Sequence, residues 1–361
     1  MAKLTTNAFW NKAVRRTLKT MTRTAVRAGS QALKASLKST PIKPAKRAPA
    51  ATRRKPAAKA PPAVATLADG HWTQGVAGAR RYHLYKPPGV RLHERLPLMV
   101  MLHGCGQDAA DLAASTQMNK IAARERFLVL YPEQDRLANM QGCWNWFDTR
   151  AGRAQREADS IDATIEQVCQ KHPVDAARVA LAGLSAGASL ATLMAIRHPW
   201  RYQAVATHSG VPPGAANSTA SALRAMRGRR AAVALAPLAA GSHLPTLLVI
   251  QGTLDSLVAP SNGASAAGLW ATREGATASA ARTVKRGARY AATLTDFKTR
   301  GRLVATLCLI NGLGHAWSGG AAGLSYSDPK GPDASRMIWA FAAKTFARRA
   351  VARLAATRLA A

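Results

Sequence analysis

From about residue 80 onward the chain alternates short apolar runs with longer stretches of mixed polarity. Seven runs read as strands: RYHLYKP from Arg81, LPLMVMLHG from Leu96, FLVLYPE from Phe127, RVALAGL from Arg178, QAVATHSG from Gln203, LPTLLVIQG from Leu244 and RLVATLCLI from Arg302. Between them, apolar residues recur at helical spacing near residues 111–125, 159–170, 186–197, 262–272 and 333–353. Strands that are apolar almost throughout must be covered on both faces. The pattern therefore predicts an α/β protein with a mostly parallel central sheet and helices on either side.

The first part of the chain follows a different pattern. Trp10, Val14, Leu18, Met21, Ala25, Ala28 and Ala32 recur at steps of four and three, which places them on one face of a helix with Lys and Arg around the rest. Residues 1–39 thus read as a basic amphipathic segment, or as a basic tail whose periodicity is accidental. Residues 40–66, rich in Ala, Pro, Lys and Arg, read as an extended linker, and residues 67–361 as one catalytic domain. Composition sharpens this division: 51 Lys and Arg against 18 Asp and Glu give a formal charge of +33, and no acidic residue precedes Asp69. Such a field draws polyanions or anionic surfaces.

No apolar run is long enough to span a bilayer, so no transmembrane insertion is expected. The basic residues scattered through the N-terminal segment interrupt any secretory h-region, which points to a cytoplasmic location; the same composition also suits an organelle transit peptide. Four cysteines, Cys105, Cys143, Cys169 and Cys308, suit neither a dense disulfide framework nor metal-ligand spacing, and neither metal nor cofactor is expected.

The most informative stretch is VALAGLSAGASL, residues 179–190, where an apolar strand meets a helix at Gly183-Leu184-Ser185-Ala186-Gly187. A G-x-S-x-G box in that setting is the nucleophile elbow of α/β-hydrolases. A serine hydroxyl needs a base and an acid that orients the base, and in this fold the acid precedes the histidine in the chain. Asp255 in IQGTLDSLVAP and His315 in INGLGHAWSGG follow two later strands and satisfy that order. His208, in THSG, is the nearest competitor for the base. The oxyanion calls for two amide donors: Ala186, directly after the serine, and Cys105 in LHGCGQD after an early strand. A zinc reading of His103 and Cys105 lacks partner ligands.

Taken together, LHGCGQD, CWNWF (residues 143–147), GLSAGASLATLMA, QGTLDSLVAPSN and GHAWSGG resemble the catalytic domain of the polyhydroxybutyrate depolymerase esterases, over roughly residues 71–348. The resemblance implies hydrolysis of short-chain polyhydroxyalkanoate esters by Ser185, Asp255 and His315. With the basic N-terminal segment, it implies the intracellular, granule-associated type, with a polyhydroxybutyrate granule surface as partner and nucleic acid as the second candidate for the tail. Related feruloyl and acetyl esterases share the motifs, so soluble acyl esters are the alternative substrates. A non-catalytic granule- or nucleic-acid-binding protein is a further alternative. In this setting Trp144, Trp146 and Trp317 are expected to line a crevice for an aliphatic polyester, or else to pack in loops. Whether Cys105 and Cys143 pair stays open: the secreted branch permits it, whereas a cytoplasm keeps thiols reduced.

Overall fold

A computed structural model describes residues 70–91, 93–230, 233–235 and 242–360, with side chains described up to Val351. The basic segment 1–39 and the linker 40–66 lie outside the described residues.

In chain order the elements are β1 (His71–Ala77), β2 (Arg80–Lys86), β3 (Leu96–Leu102), α1 (Ala109–Thr116), α2 (Met118–Glu125), β4 (Leu128–Pro132), α3 (Arg153–Lys171), β5 (Val174–Leu184), α4 (Ala186–Arg197), β6 (Ala204–His208) and α5 (Thr219–Met226). There follow β7 (Thr246–Gly252), α6 (Ser261–Arg273), β8 (Thr277–Ala278), β9 (Arg282–Val284), β10 (Ala292–Thr299), β11 (Arg302–Ile310), β12 (Trp317–Ser318), β13 (Ser327–Asp328) and α7 (Ala334–Ala360). The main sheet runs β1-β2-β4-β3-β5-β6-β7-β11-β10-β8, with β9 also on β10. Its centre, from β4 to β11, is parallel. Both margins are antiparallel hairpins.

The apolar runs explain this arrangement. Every residue of β3, β4 and β6 is buried, so neither sheet face can meet water. On one face Val100, Leu102, Leu181 and Val249 pack with Ile161 and Ile165 of α3, Leu190 and Met194 of α4 and Trp270 of α6. On the other, Met99, Met101, Ala182 and Ile250 pack with Leu112 of α1, Ile121 of α2 and Ile338 and Trp339 of α7. This is the mostly parallel α/β sandwich predicted from the strand and helix pattern, in the α/β-hydrolase architecture that the serine box implied.

Local features differ from the expectation, among them the short helix α5 and the short strands β8, β9, β12 and β13, which the pattern did not show. The helix expected over residues 111–125 is broken at Gln117, which takes a left-handed φ of 54° and ends α1 while opening α2. The antiparallel strands β1 and β10 were not anticipated: β1 is largely exposed and β10 only partly buried, so neither shows the continuous apolar signal of the central strands.

Candidate active site

Open parallel sheets carry their sites beyond the carboxyl ends of the strands. Four loops converge there, after β3, β5, β7 and β11. Ser185 follows β5 with φ 56° and ψ −115°, a conformation L-residues rarely adopt. Its amide donates to the His208 carbonyl (2.9 Å) and its carbonyl accepts from Ser189 N (3.1 Å), so the turn is fixed on both sides. The two glycines of the box are steric requirements. A methyl on Gly187 would come within 2.6 Å of the His103 carbonyl oxygen and closer still to that of Leu102, while one on Gly183 would reach the Ala188 amide nitrogen at 2.6 Å.

The structure brings Asp255 and His315 together. His315 Nδ1 lies 2.9 Å and 3.1 Å from the two oxygens of Asp255. The carboxylate side chain is fully buried, and it also accepts from the amides of Val258 (2.8 Å) and Leu257 (3.0 Å) and from Gln251 Nε2 (3.1 Å). Burial pushes the Asp255 carboxyl up, but these bonds and the neighbouring His315 outweigh it and hold it below the usual carboxylate range. The two loops are themselves joined: Thr253 N to Ile310 O (3.0 Å), Leu254 N to Leu313 O (2.9 Å) and Gly312 N to Thr253 Oγ1 (3.0 Å). Gly252 permits this approach, since a side chain there would meet the Leu313 and Gly314 carbonyl oxygens, the latter at 2.8 Å. Among the described residues no hydrogen bond joins the Ser185 hydroxyl to His315, whose Nδ1 is given to Asp255.

Ala186 opens α4 and Cys105 lies on the loop after β3, and among the described residues neither amide donates to a protein acceptor. These are two free N–H groups, one opening the helix after Ser185 and one on the loop after β3, of the kind an oxyanion requires. Cys105 forms a disulfide with Cys143, tying its loop to the segment after β4. That segment is held from below by buried Glu157, which accepts from Asn145 N (2.8 Å), Asn145 Nδ2 (2.5 Å) and Gln134 Nε2 (2.7 Å). His103 is buried, with Gln134 N at 3.1 Å from Nε2 and the Gly104 carbonyl at 2.9 Å from Nδ1, so both ring nitrogens are in use.

Of the three tryptophans expected either to line a crevice or to pack in loops, two take the packing role, and the crevice reading is corrected for them. Trp144 and Trp317 are fully buried, with their indole N–H groups committed to the His103 carbonyl (3.0 Å) and Ser335 Oγ (3.1 Å). Neither can present a face to a substrate; each braces a loop that carries a site residue. Trp146 is only partly buried and stands edge-on to Phe147. Missed in the sequence were Gln251, Ser209, Asn145 and Glu157, whose polar side chains carry no motif and gain their roles only from the partners that the folded loops bring to them.

Comparison with known proteins agrees with the geometry. Residues 80–289, more than half of the chain, match the family described as esterase PHB depolymerase. The chain belongs to the esterase PHB depolymerase family. That match contains Ser185 and Asp255 and stops before His315, so the histidine stands on the structure. Among curated relatives of this PHB depolymerase-family chain, poly(3-hydroxyalkanoate) depolymerase C of Paucimonas lemoignei is 35% identical over 175 residues, covering 46% of this chain and 42% of that protein. Feruloyl esterase B of Neurospora crassa is 29% identical over 147 residues, covering 37% and 49%. The chain thus spans about half the length of the curated relatives it matches. The solved acetyl xylan esterase from Aspergillus awamori shares the fold, with a TM-score of 0.55 at 18% identity over 68% of this chain and 94% of that one.

Proposed function

We propose that the chain is a serine carboxylic ester hydrolase acting on short-chain polyhydroxyalkanoate, poly(3-hydroxybutyrate) in the first instance. The observation that carries this reading is the buried Asp255–His315 pair beside a serine turn with two unengaged amides. Ser185 Oγ attacks the ester carbonyl while His315, its Nδ1 held by Asp255, takes the hydroxyl proton at Nε2. The amides of Ala186 and Cys105 receive the negative charge that develops on the carbonyl oxygen. As the tetrahedral intermediate collapses, the C–O bond to the alcohol breaks and His315 returns the proton to the leaving alkoxide. Water, deprotonated by His315, then attacks the acyl-enzyme, and the acid is released with Ser185 restored. A non-catalytic role would leave this buried acid–imidazole pair without purpose.

The polymer reading draws support from the similarity to poly(3-hydroxyalkanoate) depolymerase C. It also draws on Leu137 (94% exposed), Met140 (70%) and Leu254 (67%), apolar side chains in the loops after β4 and β7. Large exposed apolar groups on the catalytic edge suit an insoluble aliphatic surface. Soluble acyl esters are the second reading, favoured by the similarity to feruloyl esterase B. The basic segment 1–39 would hold the domain at a granule surface through the Ala/Pro-rich segment 40–66, raising the local substrate concentration; nucleic acid is its other candidate partner.

The cytoplasmic, granule-associated location goes with this reading. The Cys105–Cys143 cystine weighs against it, since the cytoplasm keeps thiols reduced. Thiol alkylation of protein recovered without reductant, read by mass, decides between the two. Function is tested by assaying parent, Ser185→Ala and a chain lacking residues 1–66 on amorphous polyhydroxybutyrate granules and on a soluble butyrate ester. The reading requires Ser185→Ala to be inactive on both and the truncated chain to lose granule turnover alone. Turnover of the soluble ester only, by the parent itself, would replace the polymer reading with the second.

A further inference from the structure

His208, at the end of β6, is fully buried beside the triad, yet the mechanism does not use it. Its ring has a determined hydrogen-bond pattern. Nε2 lies 3.1 Å from the backbone nitrogen of Ser318, a group that can only donate, so Nε2 is the acceptor. Nδ1 lies 3.2 Å from Ser209 Oγ. Burial, reinforced by the nearby His315, pushes His208 down from its ordinary value to about 3, so the ring is neutral and its one proton sits on Nδ1. That proton is donated to Ser209 Oγ. The Ser209 hydroxyl, its lone pair engaged, keeps its own proton for another acceptor, and Ser209 is among the groups that hold the Asp255 carboxyl down. Ser209 is fixed for this task, at a left-handed φ of 56° with its amide on the Ile250 carbonyl (3.0 Å).

The same ring also reaches the segment that carries the base. It stacks on Trp317, with centroids 5.2 Å apart and planes at 24°, and it accepts from Ser318. Trp317 and Ser318 lie two and three residues after His315 in the chain. With both nitrogens engaged and no exposure, His208 cannot be the base itself, which removes it as the competitor of His315.

We propose that His208 is a positioning residue for the Asp255–His315 pair: with its proton on Nδ1, it aims the Ser209 hydroxyl at Asp255 while anchoring the backbone just after His315. The proposal rests on the reading of Ser185, Asp255 and His315 as a catalytic triad. His315 is the ionisable group acting on Asp255, and both of them act on His208. Tyr326 stands edge-on to His315 at 6.2 Å and stays protonated, because burial raises its phenol.

The test uses the full chain and a soluble butyrate ester. Active-site titration with an organophosphate first establishes that Ser185 reacts; a parent that is neither labelled nor active refutes the triad reading itself. In an active parent, Ser209→Ala removes the bond aimed at Asp255. kcat is then expected to fall about tenfold, the rate equivalent of one hydrogen bond, with KM within about twofold. The carboxylate, left with one donor fewer, draws more strongly on the protonated imidazole, so the acid limb of the kcat/KM profile moves to higher pH. His208→Asn, which can still donate to Ser209, should retain more activity than His208→Leu. An unmoved acid limb in Ser209→Ala, or equal losses in the two His208 variants, would overturn the proposal. Histidine 15N spectra of the parent give a further readout: two buried rings, His103 and His208, should hold the Nδ1–H tautomer, and that of His208, identified as the signal His208→Asn removes, should not titrate between about pH 5 and about pH 9. An Nε2–H tautomer for His208 would also overturn it.

Discussion

Gly187→Ala tests whether close packing at the serine turn is what sets the oxyanion donors. The new methyl would sit 2.6 Å from the His103 carbonyl oxygen and nearer to that of Leu102, where ordinary contact begins at 3.4 Å. Neither obstacle is a side chain that can swing away. Both are backbone at the end of β3, where Leu102 is paired in register with Gly183. Ala favours a helix over Gly by about 1 kcal/mol, but overpacking against rigid surroundings costs about 1–3 kcal/mol. With backbone obstacles under 3.0 Å the overpacking cost lies at about 2–3 kcal/mol, and a net loss of ~1–2 kcal/mol is expected. The strain is relieved by moving α4 away from β3, which separates the Ala186 amide from that of Cys105. Losing one oxyanion donor lowers kcat about 10²- to 10³-fold. Urea unfolding followed by circular dichroism and initial rates on a soluble butyrate ester measure the two effects separately. A variant as stable as the parent, with kcat within about threefold, would show that the turn tolerates a side chain and refute the packing argument.

Asp255→Asn should lower kcat about 10⁴-fold without unfolding the protein, because an amide favours the wrong imidazole tautomer; rates and circular dichroism on the same sample check it. Cys143→Ser opens a cross-link of sequence separation 38 and should cost ~3–4 kcal/mol by chain entropy, read as a lower urea midpoint that added reductant reproduces in the parent. Acid should destabilise the fold. Below about pH 6.5 the unfolded chain protonates His208, whereas the folded chain does so only near pH 3, so stability falls by up to ~1.4 kcal/mol per pH unit on the way down. His103, lowered by burial, acts in the same direction, and Asp255 and Glu274, both held below the usual range, add their losses as pH falls through their folded values. A urea midpoint unchanged between about pH 7 and about pH 4 would contradict a neutral, buried His208.

The parallel core was legible because burial on two faces leaves its mark on every residue of β3, β4 and β6. The serine turn was legible because its glycines answer to local sterics. Asp255 and His315 were reachable through chain order and strand ends alone. What stayed hidden depends on partners distant in the chain. Trp144 and Trp317 look alike as exposed platforms or as buried struts until their indole N–H groups find His103 and Ser335. His208 reads as a rival base until Ser318 occupies one of its nitrogens. The outer strands β1 and β10 escaped because one is largely exposed and the other only partly buried, so neither carries a continuous apolar run.

The acid and the base stand 60 residues apart in the chain and reach one another only after β7 and β11 have paired. A ribosome therefore releases the serine turn well before the histidine that would arm it, and the growing polypeptide passes through synthesis without a competent hydrolytic centre. Ester cleavage during refolding is, for the same reason, a clock for the late, long-range closure of the sheet rather than for the collapse that precedes it.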